Sequence, residues 1–228
     1  MKKIFGLLTL AALLATPALA LGAGQVGVYV APKFVYGYTL LDGMKSVNDS
    51  GSWAKGSKSD NAFGGALALG YDFNKKFQVP LRAELEYAVF SEVSGKNSRW
   101  NDFYYDYYRQ KLNIQNLFLN AYYDFRNSTA FTPYLGLGLG VAFIKDKGRW
   151  TNSYDSDSFS HGAKSSSNFA WNIGAGLAYD FTDRFSLDLG YRFAGLGKAE
   201  TKESIYNYGL KTKNVYMHQL LLGARFTF

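Results

Sequence analysis

The chain of 228 residues carries a formal net charge of +7 and contains no cysteine. The absence of cysteine excludes disulfides, thiol catalysis and cysteine-ligated metal sites. The mean hydropathy of −0.17 is too low for a bundle of membrane-spanning helices. Aromatic residues make up 18% of the chain and glycine occupies 24 positions. This glycine content exceeds the usual share of about 7%, and the aromatic content argues against disorder.

The first twenty residues have the pattern of a secretory signal. Two lysines near the start precede an apolar run over residues 4–15, and Ala18 and Ala20 form an Ala-x-Ala cleavage motif. An apolar run of that length is too short to cross a bilayer about 30 Å thick. We expect cleavage after Ala20, which leaves residues 21–228 as a single exported domain with a formal charge of +5.

From residue 25 onward, apolar and polar residues alternate with a period of two, which predicts strands rather than helices. Each run of alternation reaches the length of about 9–11 residues that a tilted strand needs to cross a bilayer. Eight such runs occur, at residues 25–38, 62–73, 78–89, 116–125, 134–143, 168–181, 185–193 and 216–228. Leu112 and Ile114 fall out of phase with the fourth run, which indicates a bulge or an early strand start near Gln115.

Short and long connectors alternate between the runs. The short ones lie at residues 74–76, 126–130 and 182–184, and the long polar ones at residues 41–61, 91–109, 145–167 and 194–213. This alternation around an even number of strands is typical of an outer-membrane barrel. Closure is required because the hydrocarbon layer offers no water to unpaired backbone groups. The sequence therefore predicts an all-β fold, an eight-stranded antiparallel transmembrane β-barrel with short periplasmic turns and four long extracellular loops.

Charged side chains on the strands distinguish this barrel from soluble alternatives. A secreted sandwich or a lipocalin-type barrel would bury its apolar face. Here the face opposite the apolar one carries the charged residues Arg82, Glu84, Glu86, Asp188, Arg192 and Arg225. Because an eight-stranded barrel is just wide enough for side chains to fill it, we expect an ion-pair network that crosses and plugs the lumen. A narrow pore lined by the same charges is the competing interpretation.

The second long loop contains a dense aromatic patch, formed by Trp100, Phe103, Tyr104, Tyr105, Tyr107 and Tyr108. Tyrosine and tryptophan give large contact areas at low entropic cost, which favours a recognition surface. An extension of the outer aromatic girdle would explain the patch equally well. The loops also carry a small positive excess that could meet lipopolysaccharide phosphates. The positive charges are too dispersed along the chain for a nucleic-acid site.

The sequence carries no convincing catalytic or metal-binding motif. His161 and His218 are the two histidines, and neither stands in the His-x-Ser motif of outer-membrane enzymes that edit lipid A. The acidic turn at residues 155–158 lacks the glycine and glutamate of a calcium loop. We therefore expect no enzymatic activity, no cofactor and no bound metal. A lipid A-modifying enzyme is the third interpretation, and it would require one of the two histidines.

The end of the chain and three strand segments resemble known outer-membrane barrels. Residues 223–228 resemble the barrel-assembly signal, with Gly223, Phe226 and Phe228 at its characteristic positions. Residues 120–125, 132–140 and 189–193 are similar to the opacity-family and OmpA-type (OmpX-like) eight-stranded barrels.

This resemblance implies a location in the outer membrane of a Gram-negative bacterium. It also implies contact with outer-membrane lipids and lipopolysaccharide, and with the barrel-assembly machinery during biogenesis. The implied function is that of a surface protein whose loops contact a host or neighbouring cell, or that supports the membrane. A small passive porin-like channel is the alternative.

Overall fold

The structure, a computed structural model, describes residues 27–47, 56–101, 104–152, 158–160, 163–200 and 209–228. The predicted signal at residues 1–20 lies outside these ranges. The described strands are β1 (Val28–Val47), β2 (Gly56–Asp72), β3 (Leu81–Phe90), β4 (Val93–Asn101), β5 (Tyr104–Asp124), β6 (Phe131–Asn152), β7 (Ser158–Ser160), β8 (Lys164–Asp180), β9 (Phe185–Gly195), β10 (Ala199–Glu200), β11 (Gly209–Thr212) and β12 (Asn214–Thr227). A single helical turn, α1, spans Asn74–Phe77.

Eight of these strands form a closed antiparallel barrel. Around the barrel the order is β1, β2, β3, β5, β6, β8, β9 and β12, and β12 pairs again with β1. The closing seam runs from Tyr29 opposite Thr227 to Asp42 opposite Asn214. Closure gives every strand two hydrogen-bonded neighbours, as a hydrocarbon environment requires. The predicted eight-stranded antiparallel barrel is confirmed.

Short turns connect the strands at one end of the barrel. Residues 73–80 join β2 to β3 through α1, residues 125–130 join β5 to β6, and residues 181–184 join β8 to β9. Gln78 ends α1 in the left-handed conformation (φ 57°), and its backbone N–H donates to the Asn74 carbonyl at 3.2 Å. By the general pattern of outer-membrane barrels this is the periplasmic end. We call it the lower end and the opposite, extracellular end the upper one.

Strands replace much of the chain that was predicted as long loops. β1 continues to Val47 and β2 begins at Gly56, inside the predicted first loop, while β4 and the start of β5 form a hairpin inside the second. Above the girdle the inward face also carries polar residues, such as the buried Gln110 and Asp146, so the apolar–polar alternation disappears although the backbone ladder continues. The long loops predicted from the alternation were therefore too long.

Of the two alternatives predicted near Gln115, the bulge is absent from β5, whereas the strand does start earlier than the fourth run, at Tyr104. β5 pairs with β6 in one uninterrupted register, from Asp106 opposite Asn152 to Asp124 opposite Tyr134. The irregularity lies in the neighbouring strand, where β3 ends at Phe90 and β4 begins at Val93. Across this gap the chain of β3 and β4 contains one residue more than the segment of β5 that pairs with it. Leu112 and Ile114 are in phase with β5, but they face an apolar part of the interior.

The outer surface carries an apolar band between two rings of aromatic side chains. On β6 the exposed residues Phe131 and Phe143 mark the two ends of this band. Twelve residues at about 3.3 Å each, tilted by about 45°, span roughly 28 Å of height, close to the apolar band of about 25 Å in such barrels. At the lower end the ring centroids of Tyr179 and Phe181 lie 4.6 Å apart. No helix among the described residues is long and apolar enough to cross a membrane.

Candidate functional site

The lower half of the barrel interior holds the six charged side chains singled out in the sequence. Period-two geometry turns each of them inward, and none is more than 9% exposed: Arg82, Glu84, Glu86, Asp188, Arg192 and Arg225. Lys33 from β1 and Asp124 from β5 join them. Both share the inward parity of their strands, so the alternation alone could have identified them. We call these eight residues the lumen network.

Glu86 links two sides of the barrel. Its Oε2 lies 2.7 Å from the Lys33 ammonium on β1, and its Oε1 lies 2.8 Å from Arg192 Nη1 on β9. The Arg192 contact is an ion pair without hydrogen-bond alignment, while Arg192 Nε donates to Gln219 Oε1 at 2.7 Å. Lys33 also pairs with Glu84, which accepts a hydrogen bond from the Tyr29 hydroxyl at 3.1 Å. The network therefore crosses the lumen.

Arg82 forms the second centre of the lumen network. Its Nε and Nη2 donate to the Asp124 carboxylate at 2.9–3.0 Å. Its Nη1 lies 3.9 Å from Asp188, which also lies 3.6 Å from Arg225 Nε. The Arg82 guanidinium carbon lies 4.9 Å from the Tyr122 ring centroid and 5.0 Å from that of Tyr134. This charge is therefore held by both carboxylates and aromatic faces.

Two glycines make room for the aromatic rings around Arg82. A Cβ atom at Gly136 would lie 2.5 Å from Tyr122 Cδ1, and one at Gly176 would lie 2.3 Å from the Tyr134 hydroxyl. Real Cβ atoms do not approach so closely. Part of the glycine excess of the sequence thus serves to fit large side chains into a narrow lumen.

The upper half of the interior is apolar. Fourteen side chains pack there, each at most 1% exposed: Leu41, Ala62, Val93, Leu112, Ile114, Phe118, Ala142, Ile144, Ala170, Ala194, Leu196, Ala199, Val215 and Met217. We call this set the apolar plug. Phe118 lies at its boundary, because the Arg192 guanidinium carbon is 5.5 Å from its ring centroid. The sequence interpretation expected an ion-pair network to plug the lumen and did not predict this second, apolar layer.

A buried acid lies above the apolar plug. Asp146 is three residues beyond the girdle residue Phe143, and its carboxylate accepts a hydrogen bond from Gln110 Nε2 at 2.5 Å. The other oxygen, Oδ1, is buried without a hydrogen-bond partner. Burial raises the pKa of Asp146 to about 7, and the hydrogen bond from Gln110 offsets only part of that rise.

The free space inside the barrel is small near the network and wider below it. A cavity of about 40 Å³ adjoins Lys33, Arg82 and Glu84. Since a water needs about 10–15 Å³ by this kind of measure, it holds a few waters rather than a solute. A second cavity of about 350 Å³ lies at the lower end against Asp72 and Arg126, where Arg126 pairs with Asp72 at 2.7 Å.

The aromatic patch of the second loop lies on a hairpin far above the membrane. β4 and β5 place the backbone of Trp100 opposite Tyr105, and that of Tyr107 opposite Ser98. Tyr104 and Tyr108 belong to the same stretch of β5, whereas Phe103 lies outside the described residues. Gln115, which is opposite the girdle residue Phe143, precedes the membrane-facing part of β5. Tyr108 is seven residues higher, roughly 16 Å at the usual rise and tilt.

Among the described residues, no histidine belongs to a catalytic group. His161 lies outside the described residues. His218 is on the outer face, where its Nδ1 and the Tyr191 hydroxyl are 2.7 Å apart, and its ring centroid is 4.9 Å from that of Phe193. This environment matches the aromatic girdle. Within the described residues, no group of three or more histidine, aspartate or glutamate side chains is arranged to hold a metal ion.

The C-terminal residues complete the barrel seam. Phe226 faces outward and its ring centroid lies 5.1 Å from that of Phe185. Phe228 exchanges backbone hydrogen bonds at the start of β1, donating to the Val28 carbonyl at 2.9 Å and accepting from Gly27 at 3.2 Å. A Cβ at Gly223 would lie 3.1 Å from Lys33 Cγ. A role of these residues in assembly stays a prediction.

An even number of closed strands, an apolar outer band and two aromatic girdles together define an outer-membrane barrel. A family model described as "Outer membrane protein beta-barrel domain" matches residues 6–228, and the chain belongs to this family. The chain is 29% identical over 218 residues to outer membrane protein PagN of Salmonella typhimurium, a match that covers 90% of this chain and 89% of that protein.

Two further comparisons agree with this assignment. The chain is 27% identical over 178 residues to the Rickettsia conorii protein named "Putative adhesin RC1281". This match covers 74% of this chain and 69% of that protein. The crystal structure of Neisserial surface protein A matches with a TM-score of 0.52 at 21% identity, covering 89% of this chain and 97% of that one, and shows the shared fold. The protein is therefore located in the outer membrane of a Gram-negative bacterium.

Proposed function

We propose that this protein is a non-enzymatic surface protein whose sealed barrel anchors extracellular strands that contact the surface of a host or neighbouring cell. The observation that carries the proposal is the β4–β5–β6 sheet, which continues upward from the girdle. Its pairing extends from Gln115 opposite Phe143 to Asp106 opposite Asn152. A hydrogen-bonded sheet of this length holds its backbone in a fixed position, unlike a free loop.

The chemistry of the interior supports an anchoring barrel over a passive channel. A water-filled pore needs a continuous polar lining, as in larger barrels. Here the lumen network is followed by the apolar plug, whose members are at most 1% exposed. Ion transfer through such a layer would carry a large desolvation cost.

The position of the aromatic patch supports recognition over a girdle function. The backbone of Trp100, Tyr105, Tyr107 and Tyr108 lies on the β4–β5 hairpin, well above the lipid-facing band. Aromatic residues so far from the interface gain nothing from lipid headgroups. They are suited to contact with another macromolecule. The adhesin name of one relative points in the same direction.

The proposal is tested by cell binding with a matched pair of variants. A non-adherent Gram-negative laboratory strain displays either the wild type or a variant, and attachment to cultured epithelial cells is counted. The test variant changes Trp100, Tyr105, Tyr107 and Tyr108 to serine. The control changes the same number of tryptophan and tyrosine residues to serine in the other three long loops: Trp53, Tyr154, Tyr206 and Tyr208.

We expect the wild type to increase attachment over the empty strain, and the test variant to lose at least about nine-tenths of this increase, since a few aromatic anchors carry most of the energy of an interface. The control variant should keep most of it. A heat-dependent shift in gel mobility verifies that each variant forms a barrel. No increase with the wild type, or equal losses in both folded variants, would overturn the proposal.

A further inference from the structure

The cavity of about 350 Å³ at the lower end of the barrel lies where four strands, α1 and two turns meet. We call it the lower cavity. Its charged lining residues are three acids and three bases: Asp72, Lys75, Arg126, Asp180, Asp183 and Arg225. Since a single water needs about 10–15 Å³ by this kind of measure, the lower cavity has the volume of roughly two dozen waters. It is therefore large enough for a small solute, and its wall offers charges of both signs.

A contact between two turns forms part of the wall of the lower cavity. Lys75 Nζ on α1 donates to the backbone carbonyl of Asp183 at 3.1 Å. This hydrogen bond joins the β2–β3 turn to the β8–β9 turn, which β1 and β12 separate in the strand order. Two lining residues thus hold each other across the lower end of the barrel, so the charges around the cavity are set in a connected frame.

Two arginines in the wall have side-chain donors without partners among the described residues. Arg225 is 5% exposed, and its Nη1 is buried without a hydrogen bond. Its ion-pair contacts, 3.6 Å to Asp188 and 3.7 Å to Asp180, are longer than hydrogen bonds. Arg126 pairs through Nη2 with Asp72, but its Nε is also buried without a partner. A carboxylate in the lower cavity would supply the close acceptor that these guanidinium groups lack.

The β8–β9 turn and the end of β8 supply the opposite charge. Asp183 is exposed and meets Lys75 through its backbone carbonyl rather than through its carboxylate. Asp180 is half-buried, accepts a hydrogen bond from Ser186 Oγ at 2.5 Å, and lies 3.7 Å from Arg225. Among the described residues, neither carboxylate has a cation within hydrogen-bond distance. An ammonium group in the lower cavity would pair with both.

We propose that the lower cavity binds a zwitterionic α-amino acid group. The carboxylate of the ligand lies against Arg126 and Arg225, and its ammonium lies against Asp180 and Asp183. A ligand of one sign would satisfy one side of the wall and meet like charges on the other side. A zwitterion satisfies both sides, and the site stays neutral. This site goes beyond the proposed cell-binding function, because it lies at the opposite end of the barrel.

The position of the lower cavity at the periplasmic end limits the sources of such a group. The peptidoglycan layer lies beneath the outer membrane. Its stem peptides in Gram-negative bacteria contain diaminopimelate, whose side chain ends in an ammonium and a carboxylate on one carbon. Free amino acids in the periplasm carry the same group. A stem peptide in the cavity would attach the barrel to the cell wall, whereas a free amino acid would form no such link.

The test uses three ligands that differ in one feature at a time. The refolded protein in non-ionic detergent is titrated by calorimetry with a disaccharide–tetrapeptide fragment of peptidoglycan that contains diaminopimelate. The second ligand is the same fragment with lysine at that position, which keeps the ammonium and lacks the carboxylate. The third is free diaminopimelate, which keeps the zwitterion and lacks the rest of the fragment.

Each side of the proposed site is removed by one variant with a charge-matched control. Arg126→Gln removes a cation from the carboxylate side, and its control is Arg184→Gln, an exposed arginine outside the lining residues. Asp183→Asn removes an acid from the ammonium side, and its control is Glu92→Gln at the upper end of the barrel. A heat-dependent shift in gel mobility verifies that each variant forms a barrel. Asp183→Asn changes an exposed turn and keeps the test decisive if Arg126→Gln does not fold.

We expect the wild type to bind the diaminopimelate fragment at least about tenfold more tightly than the lysine fragment, because the lysine fragment lacks a charge-assisted hydrogen bond. Arg126→Gln should weaken binding of the diaminopimelate fragment by a similar factor and remove most of this preference. Asp183→Asn should weaken both fragments by about threefold, since both keep the ammonium and the aspartate is exposed. Both controls should change each Kd by less than about twofold.

Tighter binding of the diaminopimelate fragment than of free diaminopimelate would support a cell-wall ligand, and equal or weaker binding of the fragment would support a free amino acid. No binding of either diaminopimelate ligand to the wild type, or equal affinity for the two fragments, would overturn the proposal. Equal weakening by Arg126→Gln and Arg184→Gln, or by Asp183→Asn and Glu92→Gln, would also overturn it, because the attraction would then depend on net charge alone.

Discussion

The two halves of the barrel interior solve the same packing problem with opposite chemistry. Below Phe118, the lumen network fills the barrel with ion pairs such as Glu86 with Arg192. Above it, the apolar plug fills the same cross-section with side chains such as Ile114 and Met217. A single strand, β5, contributes to both halves from one face. The inward face of a narrow barrel therefore need not be polar along its whole length.

The two halves differ in how they contribute to stability and sealing. A buried ion pair gains little relative to a well-packed apolar core, because desolvation offsets its attraction, but loss of one partner is costly. Apolar packing stabilises directly and leaves no route for ions. The lumen network can therefore fix which strands meet across the lumen, while the apolar plug closes it.

The largest effect is expected from the Glu86→Gln variant in the lower half. Glu86 is fully buried between Lys33 and Arg192, so the amide leaves two buried cations without their shared carboxylate. We expect the free energy of unfolding to fall by about 3–5 kcal/mol, measured by urea unfolding in lipid vesicles. The matched Glu92→Gln variant disrupts an exposed pair with Lys111 and should cost less than about 1 kcal/mol. Similar small effects for both would contradict a buried network.

A graded series at Ile114 measures packing in the upper half. Ile114 is fully buried in the apolar plug, so truncation leaves a cavity that the strands cannot collapse around. We expect Ile114→Ala to lower the free energy of unfolding by about 2–5 kcal/mol and Ile114→Val by about 0.5–1.5 kcal/mol. Equal, negligible effects from the two substitutions would mean that the plug is loosely packed or open to water.

A pH-dependent effect is expected from Asp146 at the top of the plug. Its ordinary pKa of 3.8 rises to about 7 on burial, so between these values the folded protein holds a proton that the unfolded chain releases. The free energy of unfolding should therefore fall as pH rises from about 4 to about 7, by up to about 1.4 kcal/mol per pH unit. Asp146→Asn, which keeps an oxygen acceptor for Gln110, should flatten this part of the profile. A slope that persists in the variant would assign it to other groups.

Much of the lower half was accessible from the sequence, because a strand's period of two fixes the face of every residue. The six lumen charges were assigned in this way, and the same parity would have added Lys33 and Asp124. The pairing itself was not accessible. Which residues meet across the lumen depends on the stagger of the closed barrel, and alternation carries no information about it.

The upper half escaped prediction for a physical reason. Alternation marks a strand only while one face is apolar and the other polar. Leu112 and Ile114 face inward where Asn113 and Gln115 face outward near the membrane surface, so the pattern inverts and imitates a bulge. Higher still, the inward Gln110 and Asp146 are polar like the outward Lys147, so the long strands resemble loops in the sequence. The backbone hydrogen bonds that hold these strands together leave no pattern of residue types in the sequence.

Single-channel recording of the refolded wild-type protein in planar bilayers tests whether side chains seal the barrel. We expect the protein to insert, as verified by heat-dependent gel mobility of the recovered protein, without sustained conductance steps. Steady, reproducible openings from the wild type would contradict a sealed barrel and would favour the alternative interpretation, a passive channel.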